Sequence, residues 1–388
     1  MDCHLRMRPA SRERFPTHAD SRVSNSQPAG IGRLTALDSF LIINNLGRNV
    51  EIARPSERAL EPVATFQDTA FPGEDERSQF DLDMHTFLKS GDGRYLIAAN
   101  HYGLARFFAY PPALSRPAAG PTDLSPKTEL WWKGDSERLI IAGSCLISTS
   151  PRGYAVPDAA EPGVLISAPF TDLVREAVSN PGDPRPARRL AYEPCLTDWG
   201  QTTAIALDAQ ARRLAVAAGS RLGLFSLCQR QSGAVRLDKA LWEISAPFAT
   251  SWIELSADGS LLYAAGCDLA CQQIDDGNWD ALFGGGFLCL STTDARVKLE
   301  TAFEPDLAWG SGGVPLALSE EDKLIWGVDR CAGLHAWSLR TGTEIPLAAT
   351  ARQSSQRLGI AHLTKLGDKL YCGFNRGGYQ LHCYTVGR

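Results

Sequence analysis

The chain has 388 residues, 44% of them hydrophobic and 21% charged, with a formal net charge of −5. That balance predicts a packed core and excludes both a disordered chain and a generally basic nucleic-acid binder. No apolar run reaches the length needed to cross a bilayer, so no membrane span is expected.

The chain opens with "MDCHLRMRPASRERFPTHADSRVSNSQPAG", rich in Arg, Ser and Pro and without an apolar leader core. Residues 1–32 read as a flexible arm, with a strand somewhere in 15–33 completing the last sheet of the fold. The Arg and Ser content also fits a transit peptide, although Asp2, Glu13 and Asp20 argue against one. Ten cysteines with no secretory leader predict reduced, mostly buried thiols in a cytoplasmic protein.

From Leu34 onward a phrase recurs: an apolar run, a polar turn often containing Asp, and a second apolar run ending in small residues. It reads "LTALDSFLIINN" from Leu34, "HTFLKSGDGRYLIAAN" from His85 and "ELWWKGDSERLIIAGS" from Glu129. It returns as "TAIALDAQARRLAVAAGS" from Thr203, "WIELSADGSLLYAAGC" from Trp252, "VPLALSEEDKLIWGVD" from Val314 and "AHLTKLGDKLYCGFN" from Ala361. Each copy is two short strands and a tight turn, with Asp and Gly supplying the turn conformations. A third strand usually follows, as in "GLARFF", "LGLFSL", "FLCLST", "GLHAWSL" and "QLHCYTV".

Seven such copies predict an all-β fold over residues 33–388, a single seven-bladed β-propeller, because one small twisted sheet cannot cover both of its faces alone. A pair of β-sandwiches and a β-helix are the alternatives. "APFTDLVREAVSN", Ala168 to Asn180, carries apolar residues at helical spacing behind a Thr171 cap and predicts one short inserted helix. The Pro-rich stretch after the second copy reads as a loop or an irregular outer strand.

At "LSEEDKLIWGVD" and "LHAWSLRTGTEI", with Trp337 ahead of the "SLRTGT" turn, the chain resembles WD-repeat proteins and related bacterial propellers. "LSADGSLLYAAG" and "LKSGDGRYLIAAN" carry the same likeness. Trp337 is followed by Ser338 instead of Asp, and the Gly-His pair before each inner strand is missing, so the resemblance is degenerate. It implies that the connections between second and third strands share one face with those leading into each first strand. It also implies that this face is where such proteins commonly bind partners.

Six of those connections carry one cationic or imidazole side chain each: Arg48, His101, Arg152, Arg221, Arg330 and Arg376. They read either as solvated turns or as a face for an acidic peptide, nucleotide or other anionic ligand, since guanidinium forks match carboxylates and phosphates. Trp199 and Trp309, each followed by Gly and small polar residues, fit either partner anchors at that face or closures between blades.

The seventh connection, in the fifth copy, is an excursion from Gly266 to Gly286. It holds Cys267, Asp268, Cys271, Asp275, Asp276, Trp279, Asp280 and the run Gly284–Gly286. It reads as a loop over the same face, either a lid contributing contacts or a plug pairing with the arginines, with the glycines as a hinge or tight return. Cys267 and Cys271 lack a second pair at zinc spacing, which leaves packed thiols, a hairpin disulfide or a redox pair.

"FDLDMHTF" places Asp81, Asp83 and His85 on one side of an extended strand. With His101 or His362 this set would hold a divalent metal, while a solvated strand start explains the same pattern. No nucleophile elbow, phosphate loop or dinucleotide fingerprint occurs. The reading is therefore a propeller that binds or scaffolds a protein or peptide partner or a small anionic ligand, with no cofactor and with nucleic acid disfavoured. A metal-dependent propeller enzyme at Asp81, Asp83 and His85 is the alternative.

Overall fold

The computed structural model describes residues 7–10, 31–45, 49–56, 60–67, 84–100, 104–110, 121–131, 135–149, 165–170, 174, 188–189, 193–196, 199, 202–275, 278–303, 317–328, 334–347, 360–374 and 380–386. Among these, strands dominate, and no helix is long and apolar enough to cross a membrane. Two compact units emerge: residues 1–83, 112–124 and 315–388, and residues 84–111 and 125–314.

Strand β1 (Met7–Ala10) belongs to the last sheet. The first sheet follows as β2 (Ile31–Leu37), β3 (Phe40–Asn45), β4 (Asn49–Pro55) and β5 (Leu60–Gln67). The second sheet starts with β6 (Met84–Lys89), β7 (Tyr95–Asn100) and β8 (Leu104–Ala109). The short β9 (Thr122–Asp123) joins β5 in parallel, and β10 (Thr128–Trp131) joins β8 antiparallel. The third sheet comprises β11 (Asp135–Ala142), β12 (Cys145–Thr149) and β13 (Leu165–Pro169). Then β14 (Arg188–Arg189) runs parallel to β10, while β15 (Glu193–Leu196) completes the third sheet.

The fourth sheet is β16 (Ala204–Leu207), β17 (Arg213–Ala218), β18 (Arg221–Gln229) and β19 (Val235–Ser245). The fifth is β20 (Thr250–Leu255), β21 (Leu261–Asp275), β22 (Asn278–Ser291) and β23 (Val297–Phe303). The sixth is β24 (Ala317–Ser319), β25 (Leu324–Val328) and β26 (Leu334–Ser338). In the last, β27 (Ile360–Leu366), β28 (Lys369–Phe374) and β29 (Gln380–Val386) are joined by β1, which pairs antiparallel with β29. Seven sheets thus follow the seven repeats.

Turn chemistry explains the repeated phrase. Between β6 and β7, the Ser90 hydroxyl donates to the Asp92 carboxylate at 2.6 Å and accepts from the Tyr95 amide at 3.0 Å. Asp92 also accepts from the Arg94 amide, and Gly93 takes φ 71°. Between β20 and β21 the arrangement repeats. Ser256 donates to Asp258 at 2.7 Å and accepts from the Leu261 amide at 2.8 Å, with Gly259 at φ 69°. The Ser-x-Asp-Gly sequence therefore closes the first hairpin of a sheet through its own side chains.

Packing uses both faces of each middle strand. In β17, Ala215 and Ala217 join a cluster with Ile253, Leu255, Leu262 and Leu288 of the fifth sheet. The intervening Leu214 and Val216 join Cys145, Ile147 and Leu165 of the third sheet. Phe107 and Ile97 of the second sheet meet Leu139 and Phe170 beside the third. In the other unit Leu41 and Ile43 pack with Tyr371 and Leu381, and Trp326 packs with Leu370 and Tyr384.

Polar groups tie the same neighbours together. Nearly buried Asp208 accepts from the amides of Arg212 and Arg213 and from Arg213 Nε at 3.2 Å. Arg213 in turn donates to the Gly259 carbonyl at 2.8 Å and to Thr292 Oγ1 at 3.3 Å. Lys365 of the last sheet meets Asp322 of the sixth at 2.8 Å, with both side chains mostly buried.

Four expectations change. The third sheet is framed differently: "LIIA" is its first strand, turning at Gly143 with φ 59°, and "ELW" belongs to β10, the outer strand of the second sheet. Ala168 and Pro169 are strand, not helix; Val174 is helical and its amide donates to the Phe170 carbonyl at 3.0 Å. Thr171 lies outside the described residues. The strand that joins the last sheet is Met7–Ala10, whereas it was expected in 15–33; of that stretch only 31–33 is described, as part of β2.

The fourth change concerns the excursion, which does not leave the sheet as a loop. Strands β21 and β22 continue through it, paired from Leu261↔Ser291 to Gln273↔Trp279 and Asp275↔Asn278. Gly284–Gly286 are paired strand residues rather than a hinge. A Cβ on Gly266 would lie 1.9 Å from the Ala249 carbonyl oxygen, and one on Gly286 would lie 2.7 Å from that of Thr301. Close approach of backbone thus accounts for glycine at both members of this pair. Four residues of continuous strand also separate Cys267 from Cys271 by about 13 Å, too far for a disulfide.

Removing residues 1–10 strips β1 from β29 and exposes that edge. A melting temperature lowered by several degrees, read by circular dichroism, is the expected outcome; an unchanged melt would show that the pairing adds no stability.

Asp258 sits at about 2, below its usual 3.8, because the Ser256 and Ser260 hydroxyls and the Ser260 amide donate to its charged form. A carboxylate depressed in this way stabilises the fold above about pH 4 and loses that contribution as pH falls toward 2. The gap in urea midpoint between wild type and Asp258→Asn should therefore be present at pH 7 and closed near pH 2. A gap that does not change with pH would contradict this assignment.

Candidate functional site

In the fourth sheet, the turn between second and third strands is two residues long. Gly219, at φ 61°, and Ser220 join Ala218 to its partner Arg221. The carbonyls of both turn residues are engaged by the approach to the fifth sheet, accepting from the Thr250 amide at 2.8 Å and the Ala246 amide at 2.7 Å. Thr203 Oγ1 donates to the Thr250 carbonyl at 2.6 Å. Arg221 thus begins β18 on a backbone fixed from two sides.

Its guanidinium carbon lies 4.3 Å from the centroid of the Trp199 ring, a cation–π stack. Its Nη2 and Nε atoms donate to Glu243 Oε2 at 2.7 and 3.3 Å. Arg221 and Glu243 stay partly exposed, at 45% and 39%, whereas Trp199 is 7% exposed. Trp199 meets Phe225 edge-on, with centroids 5.0 Å apart. Beneath it lies Gly223, where a Cβ would fall 2.4 Å from Trp199 Cη2. The glycine makes room for the indole, and the indole supports the arginine.

Two of the expected site residues, Arg221 and Trp199, therefore stand in contact. Trp199 sits within the apolar cluster between the third and fourth sheets, and Arg221 covers it. Sequence reasoning missed Glu243, in the outer strand β19, and Gly223, whose signal was a glycine interrupting the apolar run "RLGLF". Arg48, His101, Arg152, Arg330 and Arg376 fall in chain between the second and third strands of their sheets, and Trp309 precedes β24; all six lie outside the described residues. Trp279 is the second residue of β22, paired with Gln273.

Asp81 and Asp83 lie outside the description, and His85 falls at a register shift, between the pairs Met84↔Asn100 and Thr86↔Ala99. Among the described residues no group of three or more His, Cys, Asp or Glu side chains is placed to hold a metal ion. Cys145, Cys195, Cys228, Cys289, Cys372 and Cys383 are free thiols. Burial pushes Cys145 up to about 11 and Cys195 up to about 12, which keeps both protonated and unreactive.

No family model matches the chain, and no curated protein sequence matches it. Among solved structures the chain is similar to the β-propeller domain of Myceliophteria thermophila Cps50 (Swd1), with a TM-score of 0.58 at 11% identity. The likeness covers 94% of this chain and 99% of that one. The fold is a seven-bladed β-propeller. At this identity the likeness is one of fold, and it agrees with the seven-blade reading of the repeats.

Gly223→Ala should displace Trp199 and with it the Arg221 stack, destabilising the protein by about 1–3 kcal/mol through overpacking. Denaturant unfolding checks the magnitude. A stability equal to wild type would mean that the indole does not rest on this glycine.

Proposed function

We propose that this propeller is a binding scaffold whose working face carries the connections between second and third strands. Arg221 is the best-defined contact on that face. The observation behind the reading is the layered stack of Gly223, Trp199 and Arg221. It holds a partly exposed guanidinium on rigid strand backbone, beside the carboxylate of Glu243. A pre-oriented guanidinium loses little freedom on binding and suits a carboxylate or phosphate fork. An acidic protein or peptide segment fits, its carboxylate exchanging with that of Glu243, and Arg48, His101, Arg152, Arg330 and Arg376 would supply further cationic contacts. Buried thiols are in keeping with a reducing, cytoplasmic setting.

The test is binding of a labelled Glu-rich peptide to the full chain by fluorescence anisotropy. Arg221→Ala should weaken binding by about three- to tenfold, Arg221→Lys should do so almost as much because it loses the planar stack, and Glu243→Gln should strengthen it. If Arg221→Ala binds as tightly as wild type, this face is not where an acidic partner docks.

A further inference from the structure

The last residue of β19, Ser245, stands directly opposite the first residue of β18, Arg221. Two residues earlier in β19, Glu243 is paired with Gly223. Strand alternation therefore puts Ser245 and Glu243 on the face of the sheet that carries Arg221 and, over Gly223, the Trp199 indole. Side chains directly opposite across an antiparallel pair have Cβ atoms about 5 Å apart, within the reach of an arginine. Ser245 is exposed. The backbone next to it is held, because the Ala246 amide donates to the Ser220 carbonyl at 2.7 Å. The serine is thus presented to solvent at a fixed position beside the guanidinium.

Arg221 holds Glu243 by one carboxylate oxygen: Nη2 and Nε both donate to Oε2, at 2.7 and 3.3 Å. That is not the two-oxygen fork that binds a guanidinium most firmly. Both side chains are also partly exposed, and a pair of this kind is readily exchanged for a stronger one. A phosphate ester presents three acceptor oxygens and close to two negative charges, and it takes a guanidinium by two parallel bonds.

We propose that Ser245 is a phosphorylation site whose phosphate captures Arg221 and closes this face to acidic partners. The step is a transfer from ATP by a serine/threonine protein kinase. The Ser245 hydroxyl oxygen attacks the γ-phosphorus, and the bond from that phosphorus to the β–γ bridging oxygen breaks. ADP leaves, and the hydroxyl proton passes to the base of the kinase. Strand register then tethers the phosphate opposite Arg221, so it competes at high effective concentration with Glu243 and with any incoming carboxylate. Glu243, already partly exposed, turns to water when the phosphate takes the guanidinium. What is closed is the acidic-partner face, so the switch rests on the binding-scaffold reading, whereas the capture of Arg221 does not.

The full chain with phosphoserine genetically encoded at position 245 tests both parts. By phosphorus NMR, the second ionisation of the phosphate, ordinarily at about pH 6, should be lowered by about half a unit or more relative to the same protein carrying Arg221→Ala. In the Glu-rich peptide assay the phosphoserine should weaken binding by at least about tenfold, and Ser245→Asp by less, because a carboxylate offers fewer oxygens and less charge. Ser245→Ala should bind as wild type does, and all these proteins should melt close to wild type. Phosphopeptide mass spectrometry of the protein isolated from its own cells should find phosphate on Ser245. If wild type binds the peptide no better than Arg221→Ala, the acidic-face reading fails, and the phosphorus titration still decides the capture. An ionisation unchanged by Arg221→Ala, full peptide affinity in the phosphoserine protein, or Ser245 left unmodified in the cell would overturn the inference.

Discussion

Every other feature of this protein depends on sheets that are apolar on both faces. The middle strand β17 shows the constraint in four residues. Leu214 and Val216 are buried against the third sheet, Ala215 and Ala217 against the fifth, and all four are fully covered. A lone sheet of this kind would leave both faces in water, at a cost of roughly 25 cal/mol per Å² of apolar surface. Stability therefore resides in sheet-to-sheet contact, and the small residues set how closely neighbouring sheets approach. Arg213 and Lys365 reinforce those contacts with bonds that cross from one sheet to the next.

Most of this was legible in the sequence because the constraint repeats. The seven phrases carry the apolar runs of the middle strands and, at Ser90–Gly93 and Ser256–Gly259, turns closed by their own side chains. Legibility failed where local chemistry mimicked another signal. "KGD" before Ser136 looked like the first turn of the third sheet, although the positive-φ turn is at Gly143. The residues after Phe170 have helical spacing, but Ala168 and Pro169 before them already pair with Leu146 and Cys145 as strand. The excursion read as a loop because its glycines and aspartates are turn formers in isolation. Only the pairing partner shows that Gly266 and Gly286 are glycine for want of space.

The candidate site was half legible. Arg221 followed from its place in a turn, and Trp199 from its place before an inner strand. Their contact is tertiary: it joins residues 22 apart through Gly223, whose missing side chain signals nothing about its partner until the indole is in place. Glu243 lies a further strand away and tempers the charge of the arginine. The same fold thus separates two kinds of surface. One is a turn braced by backbone bonds from the next sheet; the other is the ribbon of β21 and β22 beyond Gly266 and Gly285, where the pairing with β20 and β23 ends among the described residues.

If coverage by neighbouring strands is what stabilises each sheet, protection should stop where coverage stops. Native-state hydrogen exchange resolved along β21 and β22 measures this directly. Amides from Leu262 to Ala265 and from Phe287 to Leu290 should exchange slowly, at rates set by global unfolding, and those from Asp268 to Gln273 and Asp280 to Gly284 should exchange orders of magnitude faster in the free protein. Uniform protection along the full length of both strands would contradict the claim and make the ribbon part of the core.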